Sequence, residues 1–116
     1  MNKRKTGSVY EQAAAGYLEA KGMHLVARNF RTRGSEIDLI ARDGKYLVFI
    51  EVKYRSNAKK GYALEAVDMR KQRSVIAAAK AFLHRHRLAE DTPCRFDVIG
   101  IDGEKITHIE NAFWME

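Results

Sequence analysis

Glu36, Asp38, Glu51 and Lys53 stand in the stretch EIDLIARDGKYLVFIEVK, whose other residues are mostly apolar. Strands of this composition belong in a core, where an isolated ionised carboxylate is strongly unfavourable. A divalent cation resolves the conflict. Mg²⁺ takes oxygen ligands, commonly one or two carboxylates with waters and phosphate oxygens. Asp38, Glu51 and the backbone carbonyl of Val52 are the candidate ligands. A lysine two residues after Glu51 can orient or help deprotonate a water attacking a phosphodiester, or stabilise charge in the transition state. The competing reading is an ion-pair network at the strand ends. Glu36 on its own fits that reading, as a rim residue.

The positions of these groups follow from strand geometry. Side chains alternate faces along a strand. Glu36, Asp38 and Ile40 therefore share one face, and Leu47, Phe49, Glu51 and Lys53 share another. Ile37, Leu39 and Ala41 point the opposite way. Asp43-Gly44 is a hairpin signal. A two-residue turn there pairs Arg42 with Lys45, which sets Glu36 across from Glu51 and Asp38 diagonal to it. All four charged groups then lie near one end of one face.

The rest of the chain supplies the frame. A helix is expected from Ser8 to about Lys21, with Tyr10, Ala13, Ala14, Tyr17 and Leu18 on its apolar stripe and Gly22 as its stop. His24 to Arg31 reads as a strand, followed by the two strands of the hairpin. Ser56 to Gly61 reads as a loop, and Leu64 to Arg87 as a long helix whose stripe includes Leu64, Val67, Val75, Ala78, Ala79 and Phe82. RFDVIGI, an Asp102-Gly103 turn and KITHI close the pattern, and NAFWME remains without an assignment. Residues 1–116 are expected to form a single α/β domain of order α-β-β-β-α-β-β.

Composition narrows the function. The formal net charge of +6 favours a polyanionic partner. Cys94 is the sole cysteine, so an intramolecular disulfide and a cysteine-rich zinc site are both excluded. No apolar run approaches the ~20 residues that span a bilayer, and Glu11, Gln12 and Glu19 interrupt any signal-peptide core. A cytoplasmic protein without a membrane partner is expected. Arg28, Arg31 and Arg33 precede the hairpin, and Arg55, Lys59 and Lys60 follow it. Such a rim suits a phosphodiester backbone held in a salt-sensitive way. No base-reading motif is visible, so shape or backbone recognition is expected.

EID on one strand and EVK on the next resemble the active-site pattern of the PD-(D/E)xK nuclease superfamily, with Ile37 in place of the proline. The blocks YEQAAAGYLEAKG, ARNFRTRGSEIDLIARDG, LVFIEVKYR, EAVDMRKQR, RFDVIGID and ITHIENAF are similar to the YraN-type family of small bacterial proteins. They cover most of the chain from Tyr10 to Phe113. Ser35 stands where that family more often has glycine. The resemblance implies a restriction-endonuclease-like core, a central mixed sheet flanked by helices, as in archaeal Holliday-junction resolvases. It implies Mg²⁺ or Mn²⁺ held by Asp38 and Glu51, Lys53 as the catalytic lysine, and Glu11 as a helix glutamate added to the site. The family is usually described as predicted nucleases. The substrate expected is DNA rather than RNA, in a branched or otherwise structured form. Resolvase-like proteins are dimers, which makes a homodimer the oligomeric state to test.

Alternatives stand beside several of these residues. Ser8-Val9-Tyr10-Glu11 also fits a capping box, which would occupy Glu11 at the helix start. Lys71 falls within the apolar stripe of the second helix. It either buries its stem and reaches water or directs its ammonium to the site and a substrate phosphate. Asp97 either supports the site from a neighbouring strand or pairs with Arg95 at a strand end, and the structural role is the one expected. At the level of the whole chain, the rivals to a nuclease are a non-catalytic nucleic-acid-binding module of the same fold and an interaction scaffold using Asn111 to Trp114 as an apolar contact.

Overall fold

The computed structural model describes residues 3–55 and 67–114. Helix α1 spans Lys3–Ala20, strand β1 His24–Thr32, β2 Ser35–Asp43 and β3 Tyr46–Arg55. Helix α2 spans Met69–Arg85, and β4 (Cys94–Asp102) and β5 (Lys105–Phe113) complete the order α-β-β-β-α-β-β. The strands form one sheet in the order β1-β2-β3-β4-β5. Among the described residues, only β3 and β4 run parallel, and α2 lies on the connection between them, as a parallel crossover requires.

A helix covers each face. Ala14, Ala15 and Leu18 of α1 pack with Met23, Leu39, Ala41, Val48, Ile50, Ile99 and Ile101. Val75, Ala78, Ala79, Phe82 and Leu83 of α2 pack on Ile40, Leu47, Phe49, Phe96 and Val98. Burial on both faces explains why β2, β3 and β4 read as nearly continuous apolar runs.

Both helices end on backbone hydrogen bonds that leave the next residue left-handed. Gly22 (φ 93°) follows α1, where the Met23 amide donates to the Leu18 carbonyl at 3.1 Å and the Gly22 amide to Glu19 at 3.0 Å. This is the Schellman arrangement, closed by the buried pair Leu18 and Met23. The same bonds end α2, with Leu88 donating to Leu83 at 2.9 Å and Arg87 to His84 at 3.1 Å. Here the left-handed residue is Arg87, with φ 56°.

Four expectations need correction. First, α1 begins at Lys3, so Ser8 lies inside the helix and the capping box is excluded. Second, α2 begins at Met69 instead of Leu64. Asp68 is its N-cap, accepting from the Lys71 amide at 2.9 Å. Val67 is buried ahead of the helix, and Leu64 and the Ser56–Gly61 loop lie outside the described residues. Third, the β2–β3 turn is Gly44-Lys45, because Asp43 pairs with Tyr46. Gly44 supplies the positive φ (57°) at the first loop position. Asp43 is drawn into the ladder, its carboxylate bound by Arg95 at 2.9 Å. Fourth, Ile37 joins the α2-side core with its β1 partner Phe30, away from Leu39 and Ala41. The alternation fails beside Asn29, whose φ of 50° distorts β1.

The unassigned C-terminal stretch extends β5 to Phe113, which is buried and stacks on Phe96 at 5.1 Å between centroids. Asn111 takes φ 53° in a register shift of β5 against β4, and this irregularity hides the strand from a search for period two.

Candidate active site at the end of the β2–β3 ladder

The β2–β3 ladder runs from Asp43 opposite Tyr46 to Leu39 opposite Ile50 and stops. Extended one step, the register sets Asp38 level with Glu51. It lies two residues from the expected one, an even shift that does not itself exchange the faces of β2 and β3. At that step a side chain replaces the backbone rung. Oδ2 of Asp38 accepts from the Val52 amide at 2.9 Å. The N–H and C=O of one strand residue point toward the same neighbour, so the Val52 carbonyl also faces the Asp38 side.

Glu51 is 1% exposed, on the most central strand of the sheet. Its Oε2 lies 3.5 Å from Lys71 Nζ. Its Oε1 is buried and has no hydrogen-bond partner among the described residues. Burial, then the charge of Asp38, pushes the Glu51 carboxyl up to about 8, against the pull of Lys71 and Lys53. Asp38 is raised by burial too, opposed by the Val52 amide and Lys71, with Glu36 adding to the rise. Burial thus works against full negative charge on both carboxyls, and Lys71 opposes it at each.

The other candidates fall around this pair. Lys53 lies two residues beyond Glu51 on β3 and is half-buried. Lys71 reaches Glu51 from the first turn of α2 with its side chain 34% exposed. Glu11 is half-buried on α1, where burial and the charge of Asp38 raise its carboxyl and a hydrogen bond from Asn29 opposes them. Glu36 pairs with Arg31 at 3.4 Å on the rim. Arg31 lines an open cleft of ≈ 530 Å³ with Ser35, Lys71 and Ser74, and the hydroxyls of Ser74 and Ser35 are 3.2 Å apart. Arg33 is exposed in the β1–β2 turn. Arg28 is tied to Gln12 at 2.7 Å. Arg55 ends β3, and its side chain, like Lys59 and Lys60, lies outside the described residues.

Asn29 and the Ser35–Ser74 pair belong to this region without any mark in the sequence pattern. An asparagine inside a strand pattern tolerates the left-handed region better than most residues, but nothing in the sequence identifies it as Glu11's partner. Ser74 lies on α2, and only the fold brings it to Ser35.

Asp97 belongs to a separate polar cluster. It is fully buried and takes Arg95 in a two-point contact, with Nε and Nη2 both at 3.0 Å. His108 Nε2 lies 2.7 Å from Oδ2, and the Asn111 amide donates to Oδ1 at 3.0 Å. Burial works to raise this carboxyl, and the bonds from His108, Arg95 and Asn111 overcome it and hold it below the ordinary range.

Among the described residues, no group of three or more His, Cys, Asp or Glu side chains is gathered as a metal cage. The two-carboxylate set with a backbone carbonyl fits Mg²⁺ or Mn²⁺ in their usual manner, which leaves positions to water and substrate. The unpartnered Oε1 of Glu51 is the atom that such an ion would satisfy.

A mixed five-stranded sheet with a helix on each face, in this element order, is the restriction-endonuclease-like α/β core. Residues 10–101 match the model of the Uncharacterised protein family UPF0102, and the chain belongs to that family, the YraN-type family of the sequence blocks. It is 50% identical over 113 residues to a UPF0102 protein of Lachnoclostridium phytofermentans, covering 97% of this chain and 96% of the relative. A UPF0102 protein of Aeromonas hydrophila is 44% identical over 108 residues, 92% of this chain and 83% of its own. One from Nitrosococcus oceani is 45% identical over 112 residues, 97% of this chain and 89% of its own. Among the described residues, no helix is long and apolar enough to cross a membrane.

Proposed function

We propose that this protein is a metal-dependent endonuclease acting on the phosphodiester backbone of DNA, in branched or otherwise structured form. One observation carries the reading. Glu51 is buried with one oxygen unpartnered among the described residues, beside the half-buried carboxylate of Asp38, at a break in the ladder flanked by two lysines. A buried carboxyl raised by desolvation and by a neighbouring carboxylate is costly for a fold and is characteristic of functional sites.

Asp38, Glu51 and the Val52 carbonyl hold the ion in this reading. When bound, Mg²⁺ or Mn²⁺ supplies Lewis-acid polarisation of the phosphodiester. Lys53 orients the attacking water and stabilises the charge that develops on the phosphoryl oxygens. Lys71 balances Glu51 and offers its exposed portion to a neighbouring phosphate. Glu11 approaches from α1 as a third carboxylate, held by Asn29. Arg31 and Arg33 bind backbone phosphates along the cleft.

The test is incubation of the purified protein with linear, flapped and four-way DNA in Mg²⁺ and in Mn²⁺. Cleavage of at least one substrate is expected, with Asp38→Asn, Glu51→Gln and Lys53→Ala each reducing the rate by at least ~100-fold. Absence of cutting with binding intact assigns the chain to the non-catalytic module instead.

A further inference from the structure

The outer stripe of α2 differs from the stripe that faces the core. Met69, Arg73, Ile76 and Lys80 recur at the spacing of one helical face and form one wall of a groove of ≈ 680 Å³. The end of β5 forms the other wall, with Phe113 and Trp114. Met69 and Trp114 are each 62% exposed. Two large apolar side chains on one concave surface, with two cations and no acidic lining residue, are complementary to a ligand that combines flat apolar faces with negative charge. Unpaired nucleic acid has that composition, and base stacking on an aromatic side chain beside backbone-binding cations is its usual mode of capture. A duplex buries its base faces and offers none to a tryptophan. α2 also connects the groove with the carboxylates, because its first turn presents Lys71 to Glu51 and Met69 to the groove.

We propose that this groove binds an unpaired stretch of nucleic acid, with a base stacked on Trp114 and flanking phosphates on Arg73 and Lys80. Only the purpose of the bound strand rests on the nuclease reading, since the binding itself needs neither ion nor cleavage. Trp114 is the sole tryptophan of the chain, so its fluorescence reports on the groove directly.

The full chain is titrated in EDTA at low salt with an oligothymidylate of about fifteen nucleotides, within the usual site sizes, and separately with a duplex of the same length. Saturable quenching by the single strand, and much less by the duplex, is expected. With a labelled oligonucleotide, Trp114→Ala weakens binding by about 5- to 150-fold, and Trp114→Phe restores most of it. Replacing Arg73 and Lys80 by glutamine lowers the salt slope by about 0.7 for each phosphate no longer neutralised. Quenching that is absent, that the duplex matches, or an affinity unchanged by Trp114→Ala overturns the proposal. Asp38→Asn separates the two readings. Quenching that persists in this variant while the wild type cuts nothing leaves the groove standing and removes the nuclease. Cleavage without quenching removes the groove alone.

Discussion

Asp38 and Val52 are joined side chain to backbone, Oδ2 to N at 2.9 Å, one step past the last β2–β3 rung at Leu39 and Ile50. The carboxylate does the work of a missing strand carbonyl. Asp38→Asn keeps an acceptor oxygen at that position and relieves charge repulsion. Asp38→Ala leaves a partly buried amide unsatisfied. In urea unfolding, the alanine variant should be about 1–3 kcal/mol less stable than the asparagine variant. Equal stabilities would mean that water serves the Val52 amide as well as the side chain does.

Glu51 sets a pH dependence of definite sign. Its carboxyl titrates near 4.5 when unperturbed and is pushed up to about 8 in the fold, by burial first and Asp38 second. The folded protein therefore holds a proton that the unfolded chain has released. The stability contribution is complete below about 4.5, declines as pH rises, and is gone above about 8. Glu51→Gln should flatten this decline between pH 5 and 8.5 in thermal melts. Millimolar Mn²⁺ should raise the wild-type Tm most at the alkaline end of that range and leave the Gln variant little changed. A melt that rises with pH over this window in the absence of metal would contradict the assignment.

Asp97 has the opposite sign. Its carboxyl lies below the ordinary range, so its contribution is present above the unfolded value near 3.8 and is lost as pH falls through the lower folded value. Asp97→Ala strands Arg95, His108 and the Asn111 amide together. A loss of about 3–5 kcal/mol is expected, as for other broken buried ion pairs. The cleavage proposed above should decline in this variant only through unfolding, which kinetics at low temperature can separate.

Arg87 ends α2 in the left-handed region at φ 56°, where a side chain costs about 1–2 kcal/mol. Arg87→Gly removes that strain but adds freedom to the unfolded chain. A net gain of about 0.5–1 kcal/mol is expected, seen as a Tm higher by a few degrees. An unchanged or lower Tm would show that the Arg87 side chain contributes packing that offsets the strain.

The element order and the closeness of Asp38 and Lys53 to Glu51 were legible in the sequence because period-two patterning survives a register error of two residues, although Ile37 breaks that pattern within β2. The hairpin turn lies one residue from its expected place and the register two, yet the same side chains remain together. The individual turn was less legible, since Asp43-Gly44 is as good a local signal as Gly44-Lys45. The choice depends on Arg95, distant in sequence, holding Asp43. Helix starts were obscure for a similar reason. Ser8-to-Glu11 satisfies a capping rule that the residues before it override, and Val67 fits a helical stripe that Asp68 interrupts. Nothing local announces that Asn29 and Asn111 would take positive φ, although each sits opposite the aspartate region where a ladder gives way.

β3 is the middle strand, paired on one side with β2 and on the other with β4. Amides in such a strand exchange with solvent only when the whole molecule opens. The unpartnered oxygen of Glu51 is thus fixed to the part of the chain that yields last. Local breathing at the helices or hairpin tips leaves it in place, so a ligand that satisfies it protects the entire sheet against opening as well as the rim around it.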